Sequence, residues 1–563
     1  MTLSKIPARR IMYLQKSVLL ITLVMALFSS GKTGNAAEIN DDLGSALKKR
    51  LECSPQALIN FERPDTALVS RDACLALIYH NKGLNPLWVT SDGPDRKAST
   101  AVEIMKKSDE EGLDPGDYEI PRISELWSSR KPDALAELDT LITYNLVRYI
   151  HDVSRGQIKI RFAKPNNMTP EAEDGRFNPL EAIESALSSP DISAYLYGIA
   201  PSHQHYSSLK EALKKYREIE KQGGWQAVKT GNKINPGDQD SRIPSIIKRL
   251  SVTGDFDTKS KGVSTTHYDS TLKEAVIRFQ TRHGLEPDGV IGAGTVDVMN
   301  IPVSSSIRQI KINMARWRWR KHFLGEKYLM VNVANFDLKA YEKGNIVLDF
   351  PVIVGRTDYQ TPLLSSQLSF IDFNPFWNVT ASIASKEELN NIKKNPGYFQ
   401  KKHIRVFSGW GPDAYEISPG TIDWNNVTQQ RMAQYKLRQD PGGWNALGKI
   451  KFMFPNNHDV YMHDTPTKPL FSRTVRAFSH GCIRLGKPLD LAFFVLKDQS
   501  EKWPKEKIEK MYAGSKRGTV NIASHIPVHI TYQTSWVDKN GIIYFNRDIY
   551  NLDKNISKAL FGE

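Results

Sequence analysis

The chain is 563 residues long, and 40% of its residues are hydrophobic and 10% aromatic. This composition excludes a disordered protein and allows several domains, each with its own buried core. The formal net charge of +14 favours an anionic partner, such as an acidic polymer, an anionic lipid or nucleic acid.

Residues 1–37 have the composition of an export signal. Basic residues precede an apolar run over 18–28, and the small residues Gly34 and Ala36 suit a cleavage site. The run is short for a permanent transmembrane helix, which favours a cleaved signal. The alternative is a signal that stays uncleaved and anchors the protein in the membrane. Cleavage would remove five basic residues and no acidic residue, which leaves a formal net charge of +9. Export makes nucleic acid the least favoured of the three anionic partners.

Residues 38–242 are predicted to form a helical scaffold. The segment 135–153 is amphipathic, and the Gly- and Pro-containing segments 83–88 and 112–115 are typical of helix ends followed by turns. This region has no combination of residues that suggests catalysis.

The chain has three cysteines, so at least one thiol is unpaired. Cys53 and Cys74 could form a disulfide in an oxidising compartment. Cys482 lies about four hundred residues further along and is predicted to be the unpaired thiol.

Residues 243–302 are predicted to form a separate small helical domain. Leu272, Ala275, Val276 and Phe279 have the spacing of one apolar helix face, and Gly-containing turns follow them.

Residues 303–535 change to a mostly β pattern. Branched and aromatic residues over 328–333 and 346–355 predict strands, and a further strand over 458–462 is predicted to lead into His463. The long segment 377–444 is dense in Lys, Gly, Pro and Trp, and we interpret it as an insertion that forms a lid. Residues 536–563 form a C-terminal tail whose sequence predicts neither a fold nor a function. The predicted fold class is therefore multidomain α+β.

The run Ser479-His480-Gly481-Cys482-Ile483-Arg484 supplies the groups of a thiol acyl-transfer site. A cysteine attacks as the thiolate and needs a base, for which His463 is the candidate. The neighbouring backbone or Asp464 could hold the other ring nitrogen of that histidine. Gly481 allows a close backbone approach, so the amides of Gly481 and Cys482 are candidate oxyanion donors, and Arg484 suits a substrate carboxylate.

Two other interpretations are open for these residues. One is a buried structural cysteine beside a histidine that satisfies a core hydrogen bond. The other is a zinc site, although the spacing of its potential ligands matches no standard zinc motif. Those potential ligands are His458, His463, Asp464, His480 and Cys482.

Several motifs resemble known families. Residues 275–285 followed by 288–292 resemble the peptidoglycan-binding domain found beside wall-modifying enzymes. His463 with the 479–484 run resembles the motif of the L,D-transpeptidase (YkuD-like) catalytic domain. The whole chain resembles the large YcbB-type members of Gram-negative bacteria, also through the segments 360–362, 374–379 and 440–448.

The resemblance implies a role for each site residue. Cys482 would attack as nucleophile, with His463 as base and the backbone carbonyl just after it as the third member. His480, Ser479, Gly481 and Arg484 would line the oxyanion and substrate-carboxylate side, and Tyr461 and Trp377 the donor groove. Ala381 stands where related chains often carry a proline-rich loop, which could alter how the lid holds the substrate.

The resemblance also implies an activity and a place. Cys482 would form a thioester with a tetrapeptide stem, release the terminal D-alanine and pass the stem to a neighbouring stem as a 3,3 cross-link in the periplasm. Neither a metal nor an organic cofactor is implied, and other wall-synthesis enzymes are conceivable partners. Resolution by water or by a lipoprotein lysine would make the protein an L,D-carboxypeptidase or an anchoring transferase. A wall-binding scaffold without catalysis is the alternative from another class.

Overall fold

The computed structural model describes residues 41–51, 70–157, 177–257, 266–320 and 322–562. The predicted export signal and Cys53 lie outside these ranges, so signal cleavage and the Cys53–Cys74 disulfide stay predictions. Among the described residues, no helix combines the length and the apolarity that crossing a bilayer requires.

The N-terminal region is helical, as its sequence pattern predicts. Its core forms around the 24-residue helix α5, whose apolar positions pack against the surrounding helices. A small hairpin, β1 (Val89–Thr90) and β2 (Gly93–Pro94), packs beside it. The helices are α1 (Asp41–Leu51), α2 (Arg71–Asn81), α3 (Arg96–Lys106), α4 (Ile120–Leu126), α5 (Pro132–Arg155), α6 (Pro179–Ser188), α7 (Ile192–Gly198) and α8 (Gln204–Lys221).

The next module is a small three-helix domain. It consists of α9 (Ile243–Thr253), α10 (Ser270–Arg282) and α11 (Ala293–Met299). The predicted apolar face of α10 is fully buried in the core of this module. Asp269 caps α10 by accepting a hydrogen bond from the Leu272 amide at 2.8 Å, which satisfies one of the unpaired amides at the helix start.

Helix α12 (Val303–Arg318) leads into a mixed nine-stranded sheet with the order β13-β5-β14-β12-β11-β6-β15-β3-β4. Its apolar side forms the largest core of the molecule, which α17 (Pro488–Leu496) and α18 (Lys505–Ala513) help to cover. The strands are β3 (Lys327–Asn332), β4 (Asp337–Glu342), β5 (Asn345–Gly355), β6 (Leu364–Phe373), β11 (Ile450–Met453), β12 (Met462–His463), β13 (Ala477–Ser479), β14 (Ile483–Leu485) and β15 (Gly518–Thr531).

The insertion between β6 and β11 is a small α/β unit with its own hydrophobic core. Its sheet has the order β7-β10-β8-β9, so it contains more strand than its sequence suggests. Its strands are β7 (Trp377–Val379), β8 (Ile404–Phe407), β9 (Glu416–Ile417) and β10 (Lys436–Gln439). Its helices are α13 (Ala381–Ile383), which continues as a π-helix over Ala384–Glu388, then α14 (Leu389–Lys394), α15 (Tyr398–Lys401) and α16 (Gln429–Gln434).

Two buried asparagines hold the base of this insertion. Asn374 donates to the Met511 carbonyl at 2.8 Å, and Asn445 donates to the carbonyls of Pro375 and Asp440, each at 3.0 Å. Both side chains are fully buried. Asn374 therefore ties the start of the insertion to α18, and Asn445 ties the two ends of the insertion to each other.

The C-terminal tail is folded onto the rest of the molecule. It forms a hairpin of β16 (Ser535–Val537) and β17 (Ile543–Phe545), followed by α19 (Leu552–Phe561). The hairpin joins a core shared with α8 and α12, while Leu552 and Ile556 enter the core of the large sheet. The tail thus links the helical region to the large sheet.

The structure confirms the predicted class: helical N-terminal region, small helical domain and mostly β C-terminal domain. The strand predicted over 458–462 is wrong in extent, because strand pairing begins only at Met462. Asp459 has a positive φ of 54°, and Asn456 binds the amides of His458 and Val460, so this segment is a turn.

Candidate active site

Two short parallel strands bring the candidate nucleophile and base together. In the pairing of β12 with β14, Met462 lies beside Ile483 and His463 beside Arg484. Met462 and Ile483 are fully buried in the core. Because side chains alternate along a strand, His463 and Arg484 point to the other side of the sheet.

Cys482 directly precedes β14, and Tyr461 directly precedes β12. The Ile483 amide donates to the Tyr461 carbonyl at 3.1 Å, which continues the pairing beyond the strand. The Tyr461 amide and hydroxyl lie close enough to the Cys482 sulfur to lower the pKa of its thiol. Tyr461, Cys482, His463 and Arg484 therefore form one cluster on one side of the sheet.

His463 is buried and held by the backbone. Its Nδ1 donates to the Asp464 carbonyl at 2.5 Å, so Nε2 is the basic nitrogen. Burial, together with the positive charge of Arg484, lowers the pKa of His463 to about 3. The imidazole is consequently neutral near pH 7.

The carboxylate of Asp464 organises the loop before β11. It accepts hydrogen bonds from the amides of Lys449 at 2.9 Å and Thr465 at 2.7 Å. The Tyr512 hydroxyl donates to the same carboxylate at 3.3 Å. Two partners were predicted for the second ring nitrogen of His463, and the structure shows the backbone carbonyl of Asp464 in that place. The Asp464 carboxylate instead fixes the surrounding loop.

A tight loop presents Cys482. Gly481 has a φ of 110°, which side-chain-bearing residues rarely adopt. Thr361 fastens the loop because its hydroxyl donates to the Gly481 carbonyl at 2.8 Å and accepts from the Gly355 amide at 2.9 Å. Tyr550, from the tail, donates to the Gly355 carbonyl at 2.6 Å and accepts from the Thr361 amide at 3.2 Å. The loop conformation therefore depends on a distant segment of the chain.

Ser479 is buried inside the same loop. Its hydroxyl donates to the Cys482 carbonyl and accepts from the Gly481 amide at 3.2 Å. Since the Gly481 amide is used in this way, the Cys482 amide is the remaining candidate among the two predicted oxyanion donors.

The environment of the thiol acts on its pKa in two directions. Burial raises the pKa of Cys482, whereas the hydrogen bonds from Tyr461 and the positive charges of Lys451 and Arg484 oppose that rise. With a neutral imidazole nearby, the resting pair is thiol and imidazole rather than a preformed ion pair.

Lys451 is a site residue that sequence reasoning missed. It lies opposite His463 on β11, and its Nζ is 3.8 Å from the centre of the Tyr461 ring. Burial lowers the pKa of Lys451, while the nearby Cys482 raises it. A signal was present, because Lys451 is a polar residue between the buried Ile450 and Phe452 in strand β11.

Arg484 is half-buried and its charge is available to a ligand. Its Nε is buried and has no hydrogen-bond partner among the described residues. Burial lowers the pKa of Arg484, while Cys482 opposes this effect. A planar cation with an unused donor suits a carboxylate.

His480 faces the insertion. Its Nε2 lies 2.5 Å from a carboxylate oxygen of Glu387, and its ring packs edge-on against Tyr359 with centres 4.8 Å apart. Arg356 contacts the same carboxylate at 3.5 Å. The structure thus places His480 where the nucleophile loop meets the insertion, and Glu387 is a further residue for which we see no sequence signal.

Trp377 lies at the start of β7. Its indole packs against the core of the insertion, and its backbone pairs with Gln439. The structure therefore places this predicted donor-groove residue in the insertion, while Cys482, His463, Arg484, Tyr461, Ser479 and Gly481 come together around one loop.

Comparison with known families identifies three regions. Residues 73–213 match the scaffold domain, residues 247–299 match the putative peptidoglycan binding domain, and residues 326–530 match the L,D-transpeptidase catalytic domain. The cluster around Cys482 and His463 lies in the third region.

A putative L,D-transpeptidase of Haemophilus influenzae is 33% identical over 264 residues, which are 46% of this chain and 52% of that protein. The chain therefore spans about half the length of the curated relative that it matches. Among solved structures, an L,D-transpeptidase of Stackebrandtia nassauensis is 14% identical, with 54% of this chain and 95% of that chain covered and a TM-score of 0.21. One from Xylanimonas cellulosilytica is 13% identical, with 54% and 98% covered and a TM-score of 0.16.

Proposed function

We propose that this chain, a member of the L,D-transpeptidase family, forms 3,3 cross-links in peptidoglycan through a thioester on Cys482. One observation carries the proposal: a catalytic-domain match whose strand pairing sets a glycine-bent cysteine loop beside a buried, backbone-held histidine. Domains that act on peptidoglycan imply a cell-wall-related compartment. With the export signal predicted over residues 1–37, we propose the periplasm.

The first half of the reaction moves one proton and exchanges one bond. Because the resting pair is neutral, the Cys482 proton moves to Nε2 of His463 as the sulfur attacks the carbonyl carbon of the third stem residue. The Cys482 amide donates to the oxyanion of the tetrahedral intermediate. As the intermediate collapses, the C–N bond breaks, and the D-alanine amine leaves with the proton from His463.

The second half of the reaction regenerates the Cys482 thiol. An amine of a neighbouring stem attacks the thioester carbonyl and gives its proton to His463. The C–S bond breaks, a new amide forms, and the proton returns to the sulfur, so no external oxidant or cofactor enters the balance. Arg484 binds a substrate carboxylate, and Trp377 and His480 act through the insertion, which covers the bound stem as a lid.

The domain limits proposed with this function are 38–242 for the scaffold, 243–302 for wall binding and 303–535 for catalysis, with the insertion over 377–444. The tail 536–563 completes the catalytic loop through Tyr550. Peptidoglycan stems are the proposed donor and acceptor.

Mass spectrometry tests the proposal. The chain without residues 1–37 is mixed with disaccharide tetrapeptide, and the masses of the intact protein and of the products are measured. We expect a Cys482 adduct and a dimer that has lost one D-alanine. Tripeptide alone would identify an L,D-carboxypeptidase, and unchanged substrate would contradict the proposal in favour of lipoprotein anchoring or a wall-binding scaffold.

The Cys482→Ala variant is the matched control. It removes the nucleophile from a partly exposed loop position, so we expect no adduct, no dimer and a thermal midpoint within a few degrees of the wild type. Cross-linking by this variant at a near wild-type rate would exclude the thioester mechanism.

A further inference from the structure

A cleft of about 350 Å³ lies where three parts of the chain meet. One wall comes from the loop 284–287 of the small helical domain. The opposite wall comes from 334–336 and 472–476 of the catalytic domain, and the floor from 546–549 of the tail. No role in the chemistry at Cys482 accounts for this cleft.

The cleft has an excess of positive charge. Arg473 and Arg547 line it, are exposed and form no ion pair with any described carboxylate. Arg476 also lines it, but its guanidinium donates to backbone carbonyls, among them that of Phe336 at 3.0 Å. The acidic group in the lining, Glu286, accepts a hydrogen bond from the Thr474 hydroxyl across the cleft. Two cations are therefore available to an anionic ligand.

The floor offers an unused hydrogen-bond donor. Asn546 is 7% exposed, and its side-chain nitrogen is buried without a hydrogen-bond partner among the described residues. Its backbone is fully used, because the amide donates to the Thr534 carbonyl at 2.6 Å and the carbonyl accepts from Gln309 at 2.9 Å. Such unpaired buried donors are rare and costly, so a ligand oxygen toward which this side chain turns would gain a hydrogen bond.

The walls are held in place without a ligand. The His283 ring stacks on Phe545 with centres 5.7 Å apart, which fixes the small domain on the tail hairpin. Residues 472–476 continue directly into β13, which ends at Ser479 beside the nucleophile loop. A preformed cleft costs little ordering on binding, and its wall is continuous with the active-site segment.

We propose that this cleft binds the carboxylates of a peptidoglycan stem peptide at a distance from the reacting thiol. This inference rests on the proposed function for the identity of the polymer. Arg473 and Arg547 supply the cations for the carboxylates, and the Asn546 amide donates to a peptide carbonyl or carboxylate oxygen. The volume suits a few residues of an extended peptide, and the two charges favour a stem with free carboxylates over an uncharged glycan.

Direct binding tests this site independently of turnover. Iodoacetamide first blocks Cys482 in the chain that lacks residues 1–37, and labelled disaccharide tetrapeptide is then titrated by fluorescence anisotropy. We expect saturable binding that weakens as salt rises. The R473E/R547E variant should bind about tenfold more weakly, because two exposed attractions become repulsions. Arg96, an exposed arginine at the start of α3, provides the matched control R96E, which should bind like the wild type.

Two further ligands separate charge from sugar recognition. A tetrapeptide with amidated carboxylates should lose affinity to the same extent as the charge reversal, and peptide-free glycan should not compete. Equal binding by R473E/R547E and the wild type, binding of the amidated stem at full strength, or no binding by the alkylated wild type would overturn the inference. Failure of the proposed function is seen separately, as the absence of a Cys482 thioester in the wild-type protein.

Discussion

At the residue scale, the reactivity of Cys482 depends on a lysine from another strand. Lys451 lies over the Tyr461 ring and lowers the pKa of the Cys482 thiol, against the rise that burial causes. A charge in a partly desolvated site acts more strongly than one in water. Lys451 therefore makes the thiolate easier to form, and its charge also lowers the pKa of the neighbouring His463.

We expect Lys451→Ala to raise the pKa of Cys482, because the cation that opposes burial is removed. The rate of alkylation by iodoacetamide at pH 7 should fall about three- to tenfold, which corresponds to a shift of about half to one pKa unit. The pH profile of alkylation measures this shift. Lys451→Arg keeps the charge and should restore the wild-type profile, and an unchanged profile in Lys451→Ala would contradict the role.

The lowered pKa of His463 affects the stability of the protein as well as its catalysis. The pKa of His463 is about 3 in the folded protein, and an unfolded histidine has a pKa near 6.5. Below about pH 6.5 the unfolded state binds a proton that the folded state does not, so stability decreases as pH falls from there towards 3. The slope for one such group is up to about 1.4 kcal/mol per pH unit.

His463→Gln should remove this contribution. Its thermal midpoint should fall less steeply than that of the wild type between pH 6.5 and 4.5, as measured by scanning calorimetry. The comparison concerns slopes, so a constant loss of stability in the variant does not affect it. Parallel curves would show that His463 is not kept neutral by the fold.

At the element scale, the insertion is joined to the nucleophile loop through Glu387. This residue lies in the π-helical segment after α13 and contacts both His480 and Arg356. The core of the insertion is its own, whereas its base is anchored by Asn374 and Asn445. The contact through Glu387 therefore joins the insertion to the residue two positions before Cys482.

Glu387→Ala should weaken substrate binding more than chemistry. We expect KM for disaccharide tetrapeptide to rise several-fold, with a smaller change in kcat, because the partly exposed contact contributes only about 1 kcal/mol. Alkylation of Cys482 by iodoacetamide, which needs no lid, should stay at the wild-type rate. Glu387→Gln keeps a hydrogen-bond acceptor, so its KM should lie between those of the wild type and of Glu387→Ala. A loss of alkylation equal to the loss of turnover would instead indicate a disturbed thiol.

At the scale of the whole molecule, the tail ties the domains together. Asp553, in α19, forms an ion pair with Arg316 of α12 at 2.6 Å and accepts a hydrogen bond from the Thr534 hydroxyl at 2.7 Å. The Arg316 side chain is 6% exposed. Removal of one partner leaves a buried charge without compensation.

We expect Asp553→Ala to lower the free energy of unfolding by about 3–5 kcal/mol. Urea unfolding measures the loss, and limited proteolysis should show earlier cleavage within 552–561. Lys554→Ala, at the next and exposed position, is the matched control and should change stability by less than about 0.5 kcal/mol. Equal stability of the two variants would exclude the tail as a structural link.

Features that depend on local pattern are predictable from the amino-acid sequence. Periodicity predicts α5, α10 and the strands β3 and β5, because burial of one face or of alternate residues leaves its mark in neighbouring positions. The 479–484 run and His463 identify the candidate site because its main groups are close in sequence. The turn over 458–461 was missed because the strand-like composition there competes with the side-chain hydrogen bonds of Asn456.

The residues that complete the site come from other elements, and the folded chain sets their contacts. Lys451 reaches Tyr461 through strand register, Glu387 reaches His480 through the insertion, and Tyr550 supports the nucleophile loop from the tail. The contacts of Glu387 and Tyr550 join segments that are far apart in sequence. Such contacts form because packing of a common core brings the segments together, and a core can bring together residues whose local sequence carries no sign of their partners.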